Sequence, residues 1–293
     1  MENVKIGFIG YGEAAYNISL GLKEEGLTGI TATDMMLNDP TLGKRIHDRA
    51  AEAGVTLLPS DKEVIADAEI VISAVPLSCA VEACQSAKRF LRPDQLYVDV
   101  STSPPSSKKL MSEILDEISV RYIDAAMLGG LPTYKHKVPI IACGKGSAEF
   151  KTRMTPFGMN ISIIDGDPGA ACAVKLVRSI YMKGMTALLI ETLEAAHHYN
   201  VSERIIASLT DTLDSVPLIY TINDLITGAA LHCARRAGEL GASIEMLKQA
   251  GIDCCMSEAA KRRHEELIPY NFGAKYADHM PQDWGEIISQ LKE

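Results

Sequence analysis

The sequence has no uninterrupted apolar run close to the about 20 residues that a membrane-spanning helix requires. It is also short of positive charge, since 29 lysines and arginines face 38 aspartates and glutamates and leave a net charge of −9. That balance is atypical of a nucleic-acid-binding surface and provides no attraction to anionic membranes. We therefore expect neither nucleic acid nor a membrane as a partner.

Cysteine and histidine are few, with seven of each, and their spacing lacks the patterns of metal sites. No Cys-x-x-Cys pair occurs, and most cysteines stand in apolar contexts, where they behave as small hydrophobic residues. This usage predicts free thiols and a reducing cytoplasm. His197 and His198 are adjacent and would point about 100° apart on a helix, so no metal site is expected. An apolar strand begins almost at residue 1, so no signal peptide is expected.

The chain opens on an apolar strand, a glycine turn and a helix start, in the pattern Gly-x-Gly-x-x-Ala from Gly10 to Ala15. This pattern is typical of a dinucleotide-binding loop, in which the first glycine permits a tight turn and the second lets the backbone approach a pyrophosphate. The N–H groups at the helix start attract phosphate. The predicted cofactor contacts in this region are Gly10, Tyr11, Gly12, Glu13, Ala14 and Asp34.

Asp34 follows the second apolar run, about where an acid receives a ribose 2′-hydroxyl. A carboxylate there repels a 2′-phosphate, and Met35, Met36 and Leu37 supply no arginine to reverse the preference. The sequence therefore favours NAD as the cofactor and leaves NADP open.

Up to about residue 165 the chain alternates short apolar runs with helical stretches, a pattern typical of an α/β fold with a doubly wound parallel sheet. We expect a Rossmann domain over residues 1–166. Its predicted strands are 4–9, 29–33, 69–75, 95–100, 121–125, 138–143 and 161–164.

Beyond Asp167 and Pro168, which suit a helix N-cap and first turn, no proline occurs until after His198. This predicts a helix of roughly 30 residues that joins the Rossmann domain to an all-helical domain over residues 167–293. Further helices are predicted at 202–214, 216–238, 243–251, 256–268 and 283–291.

Lys175 is the candidate catalytic residue of the long helix. Small residues surround it, so another body can approach closely, and Ser179 lies one turn further along the same face. Burial of a lysine disfavours its ammonium form and makes the amine useful for proton transfer. A lysine that merely extends its head to water is the alternative. Other cations that are candidates for contact with an anionic substrate are Arg178, Lys183 and the basic run 261–264.

Four motifs occur here in the order found in β-hydroxyacid dehydrogenases. They are the glycine turn, Asp-Val-Ser-Thr-Ser-Pro ending at Pro104, Asp-Ala-Ala-Met-Leu-Gly-Gly ending at Gly130, and the Lys175 helix. The chain resembles this family, which includes 6-phosphogluconate and 3-hydroxyisobutyrate dehydrogenases, over about two-thirds of its length. The remaining C-terminal part resembles a little-characterised branch whose second domain has no assigned role.

The resemblance implies a role for each matching residue. Lys175 matches the general acid/base, and Thr102 matches a residue beside the nicotinamide. Val75 and Pro76 match a loop against the cofactor. The implied substrate contacts are Ser101, Ser103, Gly129, Gly130 and Ser179. The resemblance also implies a homodimer formed through the helical domain.

Two departures from the family pattern affect the substrate. Leu128 stands where a serine usually precedes the two glycines, and Ser179 stands where an asparagine usually follows the lysine. We expect NAD-dependent oxidation of a small-molecule 3-hydroxy acid, with decarboxylation of the product left open. The alternatives are imine reduction, to which a protonated Lys175 is poorly suited, and a sensor that binds dinucleotide without turnover.

Overall fold

The computed structural model describes residues 4–291. Eight strands form one sheet in the order β3-β2-β1-β4-β5-β6-β7-β8. Their bounds are β1 Ile6–Ile9, β2 Ile30–Thr33, β3 Thr56–Leu57, β4 Ile70–Ser73, β5 Leu96–Asp99, β6 Arg121–Met127, β7 Ile140–Cys143 and β8 Ile161–Ile163. All seven predicted strands are present, and the two-residue β3 was missed. The order from β3 to β6 is that of a doubly wound Rossmann sheet, which confirms the predicted fold class.

Helices cover both faces of this sheet. Those of the sheet region are α1 Glu13–Glu24, α2 Leu42–Ala53, α3 Asp61–Asp67, α4 Ala80–Lys88, α5 Pro105–Asp116, α6 Leu131–Tyr134 and α7 Ser147–Met154. Alternate strand residues enter two separate cores, because successive side chains point to opposite faces. Phe8 packs in one core with Leu22 of α1, whereas Ile9 packs in the other with Met111 of α5.

Two strands run against the prediction of a parallel sheet: β7 pairs antiparallel with β6, and β8 is parallel to β7. The link between β6 and β7 contains α6 and the 3₁₀ turn Lys135–Lys137. It packs on α1, where His136 lies against Gly21. After this link the chain returns beside β6 in the opposite direction.

Gly21→Ala is expected to lower the free energy of unfolding by about 1–3 kcal/mol, as overpacking does in a filled interior. The added Cβ would lie 1.9 Å from Nδ1 of His136, whose side chain is buried. Urea denaturation followed by circular dichroism measures the change. Gly238→Ala is the matched control, because an added Cβ there meets no atom of residues 4–291 within 4 Å. That control is expected to gain up to about 1 kcal/mol, and equal effects of the two changes would contradict the prediction.

The long helix α8 spans Ala170–His198, close to its predicted extent. The predicted N-cap, Asp167, is exposed, and Asp124 of β6 accepts the hydrogen bonds from Gly169 N and Cys172 N instead. The chain divides into two compact units, Met1–Ile180 and Tyr181–Glu293. The division falls inside α8 because its first turn is buried with the sheet, through Ala171 and Cys172. The domain boundary at 166/167 stays a prediction.

The second unit is helical over the residues described. Its further helices are α9 Ser202–Leu213, α10 Leu218–Leu231, α11 Cys233–Gln249, α12 Cys255–Glu265, α13 Phe272–Lys275 and α14 Trp284–Gln290. The prediction of two helices at 216–238 and 243–251 was wrong about where the first helix ends and the second begins. The break lies at His232, which has φ −122° and ψ 25°, and Gly238 stays inside α11. In the basic run, Lys261 and Arg263 form ion pairs with Glu265 and Glu266 of the same helix region, which is typical of a solvated face.

Between residues 4 and 291 no single helix is long and apolar enough to cross a membrane. One bent pair, α9 with α10, passes that test by length and composition only.

Candidate active site

The candidate site lies at the carboxyl ends of the strands in the first unit, where the sheet order reverses between β1 and β4. Open α/β sheets bind ligands at such a switch point. Gly10 follows β1 with φ +85°, and a Cβ there would lie 2.8 Å from Cγ1 of Val75, which follows β4. A Cβ at Gly12 would meet no atom of the described residues within 4 Å. The first glycine is therefore required by the turn, and the second leaves room for an approaching phosphate.

The helix α1 begins directly after this turn. Gly12 is its N-cap and supplies no side-chain hydrogen bond to the first-turn N–H groups. A helix start of this kind attracts an anion through its N–H groups and dipole. The arrangement fits the pyrophosphate of a dinucleotide.

Asp34 connects the glycine turn to the end of β2. Its Oδ2 accepts a hydrogen bond from Tyr11 N at 2.7 Å, and its Oδ1 accepts one from Met36 N at 2.8 Å. Each carboxylate oxygen has a second lone pair, so the group retains acceptor capacity for a ribose hydroxyl. Asp34 thus holds the turn in place and also lines the cleft.

A cavity of about 490 Å³ extends from the glycine turn along β2 and β4. Three of the residues that line it are acidic, namely Asp34, Asp61 and Glu82, and none of its described lining residues is a lysine or arginine. Ser86 donates a hydrogen bond to Asp61 at 3.0 Å. These three side chains make this cleft acidic over its described lining.

A second cavity, of about 310 Å³, shares Ala74, Val75 and Pro76 with the first. Among the described residues that line it, Lys175 is the one with a charge, and Ser101 and Thr102 line it as well. The structure therefore brings together the predicted acid/base, the predicted nicotinamide neighbour Thr102 and the predicted substrate contact Ser101. Ala14, Met127 and Leu131 complete much of its wall.

Lys175 is half-buried. Burial lowers the pKa of its amine from the ordinary value, and the nearby positive charge of Lys108 lowers that pKa further. Both effects disfavour the ammonium form, so more of the neutral amine is present at a given pH than for a solvated lysine. This is the property expected of a proton-transferring group.

Several predicted site residues lie outside the two cavities. Ser103 is fully buried beneath its turn, where its hydroxyl bonds to that of Ser101 at 2.8 Å. The Tyr11 side chain is fully buried against Phe8, and burial raises its pKa to about 12. Neither side chain is presented to the cleft, because each is part of the packing below it. The other predicted residues that line neither cavity are Glu13, Gly129, Gly130 and Ser179.

The sequence did not single out a buried ionic cluster below the second cavity. Lys108 of α5, Asp99 of β5 and Asp124 of β6 each have fully buried side chains. A signal was present, since both aspartates interrupt strongly apolar strand runs and buried charges occur almost only in pairs. The partner lysine lies on a helix where the spacing alone is typical of a solvated position.

Two family models match this chain, one in its N-terminal part and one in its C-terminal part. Residues 5–161 match the family model described as the NAD binding domain of 6-phosphogluconate dehydrogenase. Residues 196–267 match a domain of unknown function, DUF1932, in agreement with the predicted little-characterised branch.

Three relatives illustrate the range of similarity. A conserved hypothetical protein from Sinorhizobium meliloti is 31% identical, with 90% of this chain and 88% of that chain covered at a TM-score of 0.60. The 2-(hydroxymethyl)glutarate dehydrogenase of Eubacterium barkeri is 26% identical over 66% of this chain and 63% of its own length. An imine reductase from Myxococcus stipitatus, solved with NADP⁺, shares the fold at a TM-score of 0.73 and 13% identity, with 99% of this chain and 100% of that chain covered.

Proposed function

This chain belongs to the family defined by the NAD-binding domain of 6-phosphogluconate dehydrogenase, and on that premise we propose that it oxidises a 3-hydroxy acid reversibly, with Lys175 as general acid/base. The observation that carries the proposal is the position of Lys175 in one cavity with Ser101 and Thr102, next to the cleft that fits a dinucleotide. A bound nicotinamide would supply hydride acceptance and donation. Neutral Lys175 takes the hydroxyl proton during oxidation, and its ammonium form returns a proton during reduction.

Imine reduction is the second candidate. A protonated lysine beside an iminium cation is unfavourable, but the lowered pKa of Lys175 reduces that objection because more of the amine is neutral. The apolar wall of the Lys175 cavity, with Val75, Met127 and Leu131, also suits an uncharged substrate. The third candidate is a sensor that binds a dinucleotide without turnover, since binding requires only the cleft lined by the glycine turn and Asp34.

A substrate panel tests these candidates. Purified full-length protein is mixed with 3-hydroxy acids and NAD or NADP, and separately with cyclic imines and NADH or NADPH, and the absorbance of the reduced nicotinamide is followed. Oxidation of a 3-hydroxy acid supports the proposal, and turnover of imines alone would replace it with the second candidate. Dinucleotide binding without turnover across the panel would favour the sensor.

We further propose that NAD is the preferred cofactor, because the cleft beside the glycine turn is lined by acidic residues. Asp34→Asn keeps an oxygen acceptor for Tyr11 N but removes the charge that repels a 2′-phosphate. The ratio of NADP to NAD affinity is expected to rise about tenfold, or about 1.4 kcal/mol. Fluorescence titration with each cofactor measures the ratio. Glu63→Gln, an equal charge change at an exposed residue outside the cavity, is expected to leave it unchanged.

A homodimer in a reducing cytoplasm completes the proposal. Large apolar side chains of the second unit are more than half exposed: Tyr181, Ile190, Ile206, Ile219, Tyr220 and Leu225. Such a concentration of exposed apolar surface favours association with a second copy. Sedimentation equilibrium is expected to give twice the chain mass, and Ile219→Lys to give the monomer mass. An unchanged mass for that variant would contradict an interface at this surface.

All seven cysteines are free thiols, which supports the proposal of a reducing cytoplasm as the location of this protein.

A further inference from the structure

The buried cluster of Lys108, Asp99 and Asp124 contacts both parts of the candidate site. The Lys108 Nζ lies 2.8 Å from Asp99 Oδ2 and 3.1 Å from Asp124 Oδ1, and it donates to the Asp99 carbonyl oxygen at 3.1 Å. All three side chains are fully buried. Burial of ions is costly unless each is paired and hydrogen-bonded, so the arrangement of this cluster is strongly determined.

Asp99 holds the turn that lines the Lys175 cavity. Its Oδ2 accepts a hydrogen bond from Ser101 Oγ at 2.9 Å, and its Oδ1 accepts one from Ser101 N at 3.1 Å. The hydroxyl of Ser101 in turn contacts that of Ser103. The position of Ser101 and Thr102 at the cavity therefore depends on the Asp99 carboxylate.

Asp124 holds the start of the helix that carries Lys175. Its Oδ2 accepts hydrogen bonds from Gly169 N and Cys172 N, each at 3.0 Å. Cys172 lies one turn before Lys175, and its thiol donates to the carbonyl oxygen of Ser103. The first turn of α8 is thereby connected both to β6 and to the Ser101–Ser103 turn.

The charges of this cluster balance in a specific way. One ammonium faces two carboxylates, and the helix N-terminus at Gly169 adds partial positive charge beside the second carboxylate. The groups whose charge acts on Lys175 are Lys108, Cys172, Asp124 and Asp99, and Lys108 has the largest effect of the four. A change in the charge of this cluster is therefore expected to change the pKa of the Lys175 amine.

We propose that Lys108 is a positioning residue, which ties the Ser101–Ser103 turn to the first turn of the Lys175 helix and sets the electrostatic field at the Lys175 amine. The importance of this for catalysis rests on the proposed function, but the arrangement itself is testable without a substrate. Lys108 lines neither of the two cavities, and its ion-pair partners are Asp99 and Asp124.

The test follows the Lys175 amine directly. The full-length protein is prepared with ¹³C-labelled lysine, and the Lys175 signal is assigned as the one lost in Lys175→Arg and titrated by NMR. In Lys108→Met the Lys175 titration is expected to shift upward, because a neighbouring positive charge has been removed and the carboxylates remain. Amide hydrogen exchange at Ser101, Gly169 and Cys172 is expected to accelerate about tenfold or more, as the carboxylates that accept these hydrogen bonds lose their counter-ion.

Two further variants make the result decisive. Lys109→Met removes the same charge one residue away, at an exposed position of α5, and is expected to change neither the titration nor the exchange. The double variant Lys108→Met, Asp99→Asn removes the ammonium and one of its two carboxylates, and Asp124 keeps its hydrogen bonds from Gly169 N and Cys172 N. The upward shift is expected to remain because the effect of Lys108 exceeds that of Asp99. This double variant replaces the single variant if that one fails to fold.

An unchanged Lys175 titration, or unchanged exchange at all three amides, would overturn the proposal. The outcome is separate from the substrate panel. A shifted titration in a protein that turns over no hydroxy acid leaves the role of Lys108 standing and rejects the proposed function. Turnover of a hydroxy acid with an unshifted Lys175 titration supports the proposed function and rejects the role of Lys108.

Discussion

Replacing Lys175 with methionine is expected to lower turnover of the hydroxy acid found by the panel by about 10²–10⁴-fold, the range that one general acid/base contributes. Methionine approximates the length of the lysine stem and removes the amine, so the cavity wall is largely kept. Steady-state kinetics measure the loss in kcat. Lys109→Met is the matched control, because Lys109 is exposed on α5 and outside the Lys175 cavity, and it is expected to retain full turnover.

Affinity for NAD separates a catalytic role of Lys175 from a structural one. The glycine turn and Asp34 line the other cavity, so NAD affinity is expected to change by less than about threefold. Fluorescence titration with NAD measures it in both variants. Full turnover in Lys175→Met would reject the acid/base assignment, and a parallel loss of NAD affinity would point to misfolding of the cleft.

The pH dependence of turnover follows from the lowered pKa of Lys175. Oxidation requires the neutral amine, so its rate is expected to rise as pH increases through that pKa. Reduction requires the ammonium form, and its rate is expected to fall over the same interval. Because burial and the charge of Lys108 lower the pKa of Lys175, both changes in rate are expected at pH values below the ordinary pKa of lysine. Profiles of kcat/KM against pH in the two directions measure this, and limbs that move in the same direction would contradict the mechanism.

Much of the fold was predictable because local patterns carry it. Each predicted strand is a short apolar run, and the turn at Gly10 and Gly12 identifies the first βαβ unit. The direction of β7 was not predictable, since it depends on where the link carrying His136 packs. The break at His232 was missed because no proline or glycine marks it, whereas the break predicted between residues 238 and 243 lies inside α11.

The candidate site was predictable where one segment supplies the chemistry. Lys175, Thr102 and the glycine turn each belong to a motif that is continuous in sequence, and the structure brings them to adjoining cavities. The support beneath them was not predictable in the same way. Lys108, Asp99 and Asp124 come from three different elements, and only the pairing of β5 with β6 under α5 converts ordinary surface residue types into a buried cluster.

Asp124→Ala is expected to lower the free energy of unfolding by about 2–6 kcal/mol, because it leaves the buried N–H groups of Gly169 and Cys172 without an acceptor, at about 1–3 kcal/mol each. Lys108 keeps Asp99 as its partner, so the loss falls mainly on the start of α8. Urea denaturation measures the change. Asp167→Ala is the matched control, since Asp167 is the N-cap that the sequence predicts but is exposed. Its loss is expected to stay below about 0.5 kcal/mol, as for most surface substitutions. A larger loss at Asp167 than at Asp124 would mean that local capping, and not the buried carboxylate from β6, holds the helix that carries Lys175.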